Sequence, residues 1–200
     1  MRVLIIDNRD SFVHNICGLL ESVGKDNPDY CLEWDIVGCG YIDIESVHNY
    51  DAVILSPGPG IPSEAGRLMD MVKACAGRVP MLGICLGMQA IAEIYGGTLR
   101  QLEFPRHGHK SFLKCVDPAD PIVGNLARRR TAVGRYHSWV VDLESLPDCL
   151  VASSFDEEGN IMSLRHRILP IFATQFHPES IISDCGLEIM EAFLEVARQG

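Results

Sequence analysis

Four aliphatic residues in succession, Val3-Leu4-Ile5-Ile6, constrain this chain before anything else does. Successive side chains of a strand point to opposite faces, so such a run is stable as a strand only if both faces are covered. The same pattern recurs at Ala52–Leu55 and Pro80–Ile84, with a further strand candidate at Leu32–Val37. Helical spacing separates them. Ser11 is placed to cap a helix that carries Phe12, Ile16, Leu19 and Leu20 on one face. A second helical stretch covers about Glu64–Cys75. A third, Leu86–Tyr95, is stopped by Gly96-Gly97. This alternation predicts an α/β fold: a doubly wound, mainly parallel sheet with flanking helices.

The second half reads differently. Gly97–Glu103, Ser111–Val116, Thr131–Arg135, Leu150–Ser154, Ile161–Arg165 and Ile171–Phe176 are short strand candidates. Turn signals such as Asp117-Pro118, Glu158-Gly159-Asn160 and Leu169-Pro170 lie between them. Extra antiparallel strands are therefore expected here, and a helix from about Ser183 to Arg198 closes the chain. Arg128-Arg129-Arg130 reads as a solvated loop face. With no repeat or linker, residues 1–200 are expected to form a single domain.

Charge and cysteine usage narrow the function classes. Lys plus Arg number 17 against 27 Asp plus Glu, a formal net charge of −10, which argues against a nucleic-acid partner. No apolar run approaches the roughly 20 residues of a membrane span, and the four apolar residues before Asp7 are too few for a secretory segment. Eight cysteines form neither a C-x-x-C pair nor a Cys/His cluster at zinc spacing. A reduced, cytoplasmic protein without metal or cofactor is the expectation, with every cysteine but one a small buried hydrophobe.

The exception is Cys85. Gly83-Ile84-Cys85-Leu86-Gly87 fits G-x-C-x-G at a strand-to-helix junction, the thiol form of a nucleophile elbow. Glycines two positions either side let strand and helix approach closely. The helix N-terminus favours a thiolate and leaves the Leu86 N–H free for an oxyanion. The plainer alternative is a buried cysteine between helix-packing glycines. A thiol nucleophile needs a base with an orienting group. Of the seven histidines, only His177 ends a buried-looking strand beside a carboxylate, in Phe176-His177-Pro178-Glu179-Ser180. Residues i and i+2 of extended chain point the same way, so Glu179 can hold one imidazole nitrogen while the other faces Cys85.

Ser56-Pro57-Gly58-Pro59-Gly60 follows the third strand, at the sheet edge where α/β proteins bind ligands. It lacks the Gly-Lys-Ser/Thr of a phosphate loop. A second oxyanion-hole element opposite Cys85 is the better reading, with a plain turn as the alternative.

Together the Pro-Gly-Pro-Gly loop, Gly-Ile-Cys-Leu-Gly-Met-Gln and Gln-Phe-His-Pro-Glu-Ser resemble the class I (triad) glutamine amidotransferases, in that family's order across nearly the whole chain. Asp7-Asn8-Arg9-Asp10-Ser11-Phe12 and Arg135-Tyr136-His137-Ser138-Trp139 are similar to segments of the subunits that serve anthranilate and aminodeoxychorismate synthases. The resemblance implies Cys85 as nucleophile, His177 as acid/base and Glu179 as its orienter. It implies an oxyanion hole at Gly58 and Leu86, and an L-glutamine site at Gly58, Pro59, Gly60, Gln89, Ser138 and Trp139. Its expected partner is a chorismate-using synthase subunit, component I, and not nucleic acid or membrane.

Three departures stand out: Arg9 for the usual Tyr, Cys39-Gly40-Tyr41 for Arg-Asn-Asp, and His107-Gly108-His109-Lys110-Ser111 for His-Gly-Lys-x-Ser. All are expected away from the triad, and the family places the first and third near its partner. A Cys-His-Glu hydrolase or peptidase of the same fold, and a non-catalytic regulatory subunit, are the alternatives.

Overall fold

The computed structural model describes residues 1–199. In chain order the first half contains β1 (Arg2–Asp7), α1 (Val13–Asp26), β2 (Glu33–Gly38), β3 (Ala52–Leu55), α2 (Leu68–Cys75), β4 (Met81–Ile84) and α3 (Leu86–Ile94). The second half adds β5 (Leu99–Phe112), β6 (Ala132–Val141), β7 (Leu150–Phe155), β8 (Ile161–His166), β9 (Ile171–Thr174) and α4 (Gly186–Gln199). Seven strands form one sheet in the order β2-β1-β3-β4-β9-β8-β7, and β5 pairs with β6 in a separate two-stranded sheet. The pairings from β2 through β9 are parallel, whereas β9-β8 and β8-β7 are antiparallel. The expected α/β class, mainly parallel with added antiparallel strands, is the observed one.

The aliphatic runs explain the layers. Val3 and Ile5 of β1 join a core with α1 and α4, while Leu4 and Ile6 join a second core with α2 and α3. All four side chains are buried, as strand alternation between two helical layers requires. β3 divides in the same way, with Ala52 and Ile54 on one side and Val53 and Leu55 on the other. Among the described residues no helix is long and apolar enough to cross a membrane.

Several local expectations are corrected. Ser11 does not cap α1. It is exposed, and the preceding turn is closed by Asp10, whose Oδ1 accepts from the Phe12 N–H at 2.8 Å. The candidates Gly97–Glu103 and Ser111–Val116 are not separate strands, because β5 runs through the segment between them. Its ladder with β6 passes from Gln101↔Trp139 directly to Arg106↔His137, so four residues bulge out opposite Ser138. The cysteines divide as well. Cys39, Cys75 and Cys185 are buried, Cys17 and Cys149 half-buried, but Cys31 and Cys115 are exposed. Those two adopt left-handed backbone at φ 44° and 49°, so turn geometry and not core packing sets their positions. The arginine run is exposed as expected, with Arg129 paired to Glu188.

The glycines of the elbow are enforced by contact. A Cβ on Gly87 would lie 2.6 Å from the Leu55 carbonyl oxygen, and one on Gly83 would lie 2.7 Å from the Gly87 carbonyl carbon. Gly18, exposed in the interior of α1, has nothing within 4 Å of such an atom. Gly87→Ala should therefore lower stability by about 1–3 kcal/mol through overpacking. Gly18→Ala should raise it by roughly 0.5–1 kcal/mol. Urea denaturation of the two variants checks the opposite signs. A neutral or stabilising Gly87→Ala would contradict the close approach.

Candidate active site

The loops that leave β1, β3, β4 and β9 emerge at the carboxyl edge of four adjacent parallel strands, where the ligand sites of open α/β sheets form. Cys85 stands between β4 and α3 with φ 52° and ψ −99°, a conformation that non-glycine residues rarely adopt. Its own N–H donates to the Thr174 carbonyl at 2.7 Å. The first free donor of α3 is thus the Leu86 N–H, which has no acceptor within the helix. Gly58 approaches from the other side. A Cβ there would meet Leu86 Cδ2 at 2.6 Å and the Asn8 carbonyl oxygen at 2.8 Å. Asn8 fastens this loop, taking its N–H to Ser56 Oγ at 2.9 Å and its Nδ2 to the Ser56 carbonyl at 2.8 Å.

His177 and Glu179 meet as expected, although by a different route. His177 Nδ1 donates to Glu179 Oε1 at 2.7 Å, with both side chains buried. The intervening chain is a tight turn and not an extended strand. The Ser180 N–H returns to the His177 carbonyl at 3.1 Å, with Pro178 at the turn position its fixed φ suits. The His177 ring is held edge-on by Tyr136 at 4.9 Å and Phe12 at 5.3 Å between centroids. Its Nε2 is buried without a hydrogen-bond partner. Burial alone would push this imidazole down; the contacts with Cys85 and Glu179 outweigh burial and hold it up at about 10. Burial pushes the thiols of Cys75 and Cys185 up to about 12, which keeps them un-ionised near neutral pH.

A cavity of about 380 Å³ opens above the thiol. Among its lining residues are Gly58, Pro59, Gly60, Cys85, Gln89, Ser138 and Trp139, which the sequence motifs nominate together. Gln89 lies one helical turn beyond Cys85, its N–H bonded to the Cys85 carbonyl at 3.1 Å. Its Nε2 donates to the Trp139 carbonyl at 3.0 Å and to Gln175 Oε1 at 3.2 Å. Ser138, a lining residue of the cavity, sits opposite the bulge of β5, so the strand ladder breaks at the cavity wall.

Sequence reasoning missed five contributors. Gln175 donates its Nε2 to Cys85 Sγ at 3.5 Å. Tyr136, Gln101, His107 and His137 line the cavity. Gln175 precedes the His-Pro-Glu run by two residues, which is the only signal that could have singled it out. His107, which keeps the usual residue of its segment, lines the cavity, whereas the departing His109 is exposed and sits 3.2 Å from Ser111 Oγ. Arg9 takes a left-handed backbone at φ 65° in the turn capped by Asp7. Tyr41 is 91% exposed, whereas Cys39 is buried. Among the described residues no group of three or more His, Cys, Asp or Glu is arranged to hold a metal.

Residues 4–197 match glutamine amidotransferase class-I. The chain is 36% identical over 199 residues to aminodeoxychorismate/anthranilate synthase component 2 of Bacillus subtilis, covering 98% of this chain and 97% of that one. It is likewise 36% identical over 192 residues to aminodeoxychorismate synthase component 2 of Escherichia coli, covering 96% and 98%. The fold is also that of a solved glutamine amidotransferase from Thermotoga maritima, at a TM-score of 0.74 and 18% identity, covering 100% of this chain and 83% of the other.

The His177 ring gives a direct test of the site's electrostatics. Its charge should persist through neutral pH and be lost as pH rises through about 10. Its stabilising contribution is then complete below the ordinary value of 6.5 and fades toward that upper limit. In Cys85→Ser the thiol contact disappears while burial remains. Ring NMR should show the midpoint fall toward or below 6.5. A midpoint still near 10 would mean that Cys85 does not support the charge.

Proposed function

The chain belongs to the class-I glutamine amidotransferase family, and from that premise we propose that it is the glutaminase subunit of a chorismate-using synthase, component I of anthranilate or aminodeoxychorismate synthesis being its partner. The observation that carries the chemistry is one thiol, strained at a helix N-terminus, beside a buried His–Glu pair and under a cavity walled by backbone. The names of the relatives carry the pathway.

In the proposed reaction Cys85 passes its thiol proton to His177 Nε2, and its Sγ attacks the side-chain carboxamide carbon of L-glutamine. The tetrahedral oxyanion accepts from the Leu86 N–H and from the Gly58–Gly60 loop; loss of one such donor typically costs about 10²–10³ in rate. The His177 imidazolium gives its Nε2 proton to the departing nitrogen, the C–N bond breaks and ammonia leaves a γ-glutamyl thioester. With the sulfur acylated, the Cys85 share of the support for the His177 proton is gone, while the Glu179 bond remains and burial still disfavours charge. The neutral imidazole then takes a proton from water, whose oxygen attacks the thioester. Glutamate and the Cys85 thiol are released.

The α-groups of glutamine are read by the far wall. Both Gln89 Nε2 hydrogens are committed to Trp139 and Gln175, which leaves Oε1 to accept from an α-ammonium. Ser138 and Trp139 line the same space, where their backbone N–H groups and the Ser138 carbonyl are the proposed partners of the α-carboxylate and α-ammonium. Ammonia reaches its acceptor unprotonated only if bulk water is kept away, so the synthase subunit is expected over the cavity mouth, and chorismate binds there and not here.

Cys85→Ser should reduce glutamine-dependent amination by the complex about 10⁴-fold or more, while amination from added ammonium salts continues. Retained glutamine dependence would remove Cys85 from the mechanism. Loss of both activities would instead mean that the subunit's presence, and not its thiol, is what the synthase requires. His177→Asn should sharply slow labelling of Cys85 by a glutamine-analogue electrophile, and unchanged labelling would exclude His177.

A further inference from the structure

A buried charge lies behind the substrate wall that the triad does not use. Arg135 of β6 is 1% exposed, and its Nη1 pairs with Asp156 Oδ2 at 2.7 Å. Asp156 is buried in turn and is held by the Asn160 N–H and Nδ2, each at 2.8 Å. The guanidinium carries donors only, and its Nε points at His137 Nε2 at 3.1 Å. That nitrogen must therefore be the acceptor, which places the ring proton on Nδ1. His137 Nδ1 is 3.0 Å from the Trp139 carbonyl, an atom that can only accept, so the tautomer that Arg135 selects is the one this carbonyl needs. Burial first, and the Arg135 charge second, push this imidazole down to about 3. It is a neutral donor at any working pH.

The Trp139 carbonyl thus receives two donors, His137 Nδ1 and Gln89 Nε2, each at 3.0 Å. Both of its lone pairs are committed, which holds this peptide at the last residue paired before the β5–β6 ladder breaks, beside the cavity that Ser138 and Trp139 line. Ser138 alone lacks a ladder partner between Trp139, paired with Gln101, and His137, paired with Arg106, and the ion pair supports this half-buried stretch from the side away from solvent.

We propose that the Arg135–Asp156 ion pair, acting through the Nδ1 hydrogen of His137, locks the Ser138–Trp139 backbone in the orientation that binds the α-groups of the substrate. His137 is then a positioning residue for affinity and not for the chemical step. The proposal rests on the glutamine reading and adds a specificity device to it.

Two near-isosteric substitutions separate the ring nitrogens. In His137→Asn the side-chain Nδ2 can still donate to Trp139, whereas Arg135 Nε loses its acceptor. In His137→Gln the Oε1 can still accept from Arg135, whereas the donor to Trp139 is lost. Cys85 is inactivated in each variant by a diazoketone analogue of L-glutamine, which carries the α-groups, and by iodoacetamide, which does not. His137→Gln should raise the half-saturating analogue concentration about tenfold, as expected for one lost buried hydrogen bond, at an unchanged limiting rate. The iodoacetamide rate should match wild type, and His137→Asn should saturate near the wild-type concentration. If His137→Gln keeps wild-type saturation, or if Asn is the worse of the two, the proposal fails and His137 serves only to satisfy Arg135. A parallel fall in both alkylation rates would also overturn it, as general loosening of the site. Should His137→Asn not fold, the His137→Gln saturation alone decides. Wild-type chain that reacts with iodoacetamide but shows no saturable reaction with the analogue would sink the glutamine reading itself, a result distinct from all of these.

Discussion

Cys85 is held at φ 52° because β4 and α3 meet with no room between them, and almost every feature of the site follows from that turn. The approach requires glycine at 83 and 87, where an added Cβ would collide with Gly87 and with the Leu55 carbonyl. It commits the Cys85 N–H to Thr174 and so passes the role of free donor to Leu86. It sets Gln89 one turn further along the helix, where its amide can join Trp139 to Gln175. Backbone strain of this kind costs on the order of 1–3 kcal/mol and persists because the two apolar layers around the parallel sheet over-determine the geometry.

Two buried histidines in one site are driven in opposite directions by their neighbours. His177 faces a carboxylate and the thiol, which together outweigh its burial and keep it charged. His137 faces a guanidinium, which acts with burial and keeps it neutral. The division suits their tasks, since one must move a proton and the other must hold a carbonyl still. Charge for the first comes from a turn at the sheet edge. Neutrality for the second comes from a buried ion pair, of a kind worth little for net stability. Its use here is orientation.

Much of this was legible in the chain because the signals are local. Val3–Ile6 and Ala52–Leu55 announce two-sided burial, and Cys85 between Gly83 and Gly87 announces the elbow, without knowledge of anything distant. His-Pro-Glu is readable as a pair, but not its turn, because Pro178 fits extended chain and turn alike. What the sequence hid depends on long-range contact. Phe12 and Tyr136 are far apart in the chain, and only the fold packs them against each other and against the His177 ring. Arg135 and Asp156 reveal themselves as a pair only when the β5–β6 sheet is docked against the turn before β8. The exposure of Cys31 and Cys115 is not legible either, because a small apolar side chain says nothing about the left-handed turn it occupies.

The account stands on covalent chemistry at one thiol, and the most direct test looks for that bond. Chain turning over L-glutamine is acid-quenched within the first turnover, digested and mapped by mass. A γ-glutamyl adduct should appear on the peptide that carries Cys85, and on no other cysteine peptide. Glutamate release with no adduct at Cys85, or with an adduct at another of the eight cysteines, would contradict it.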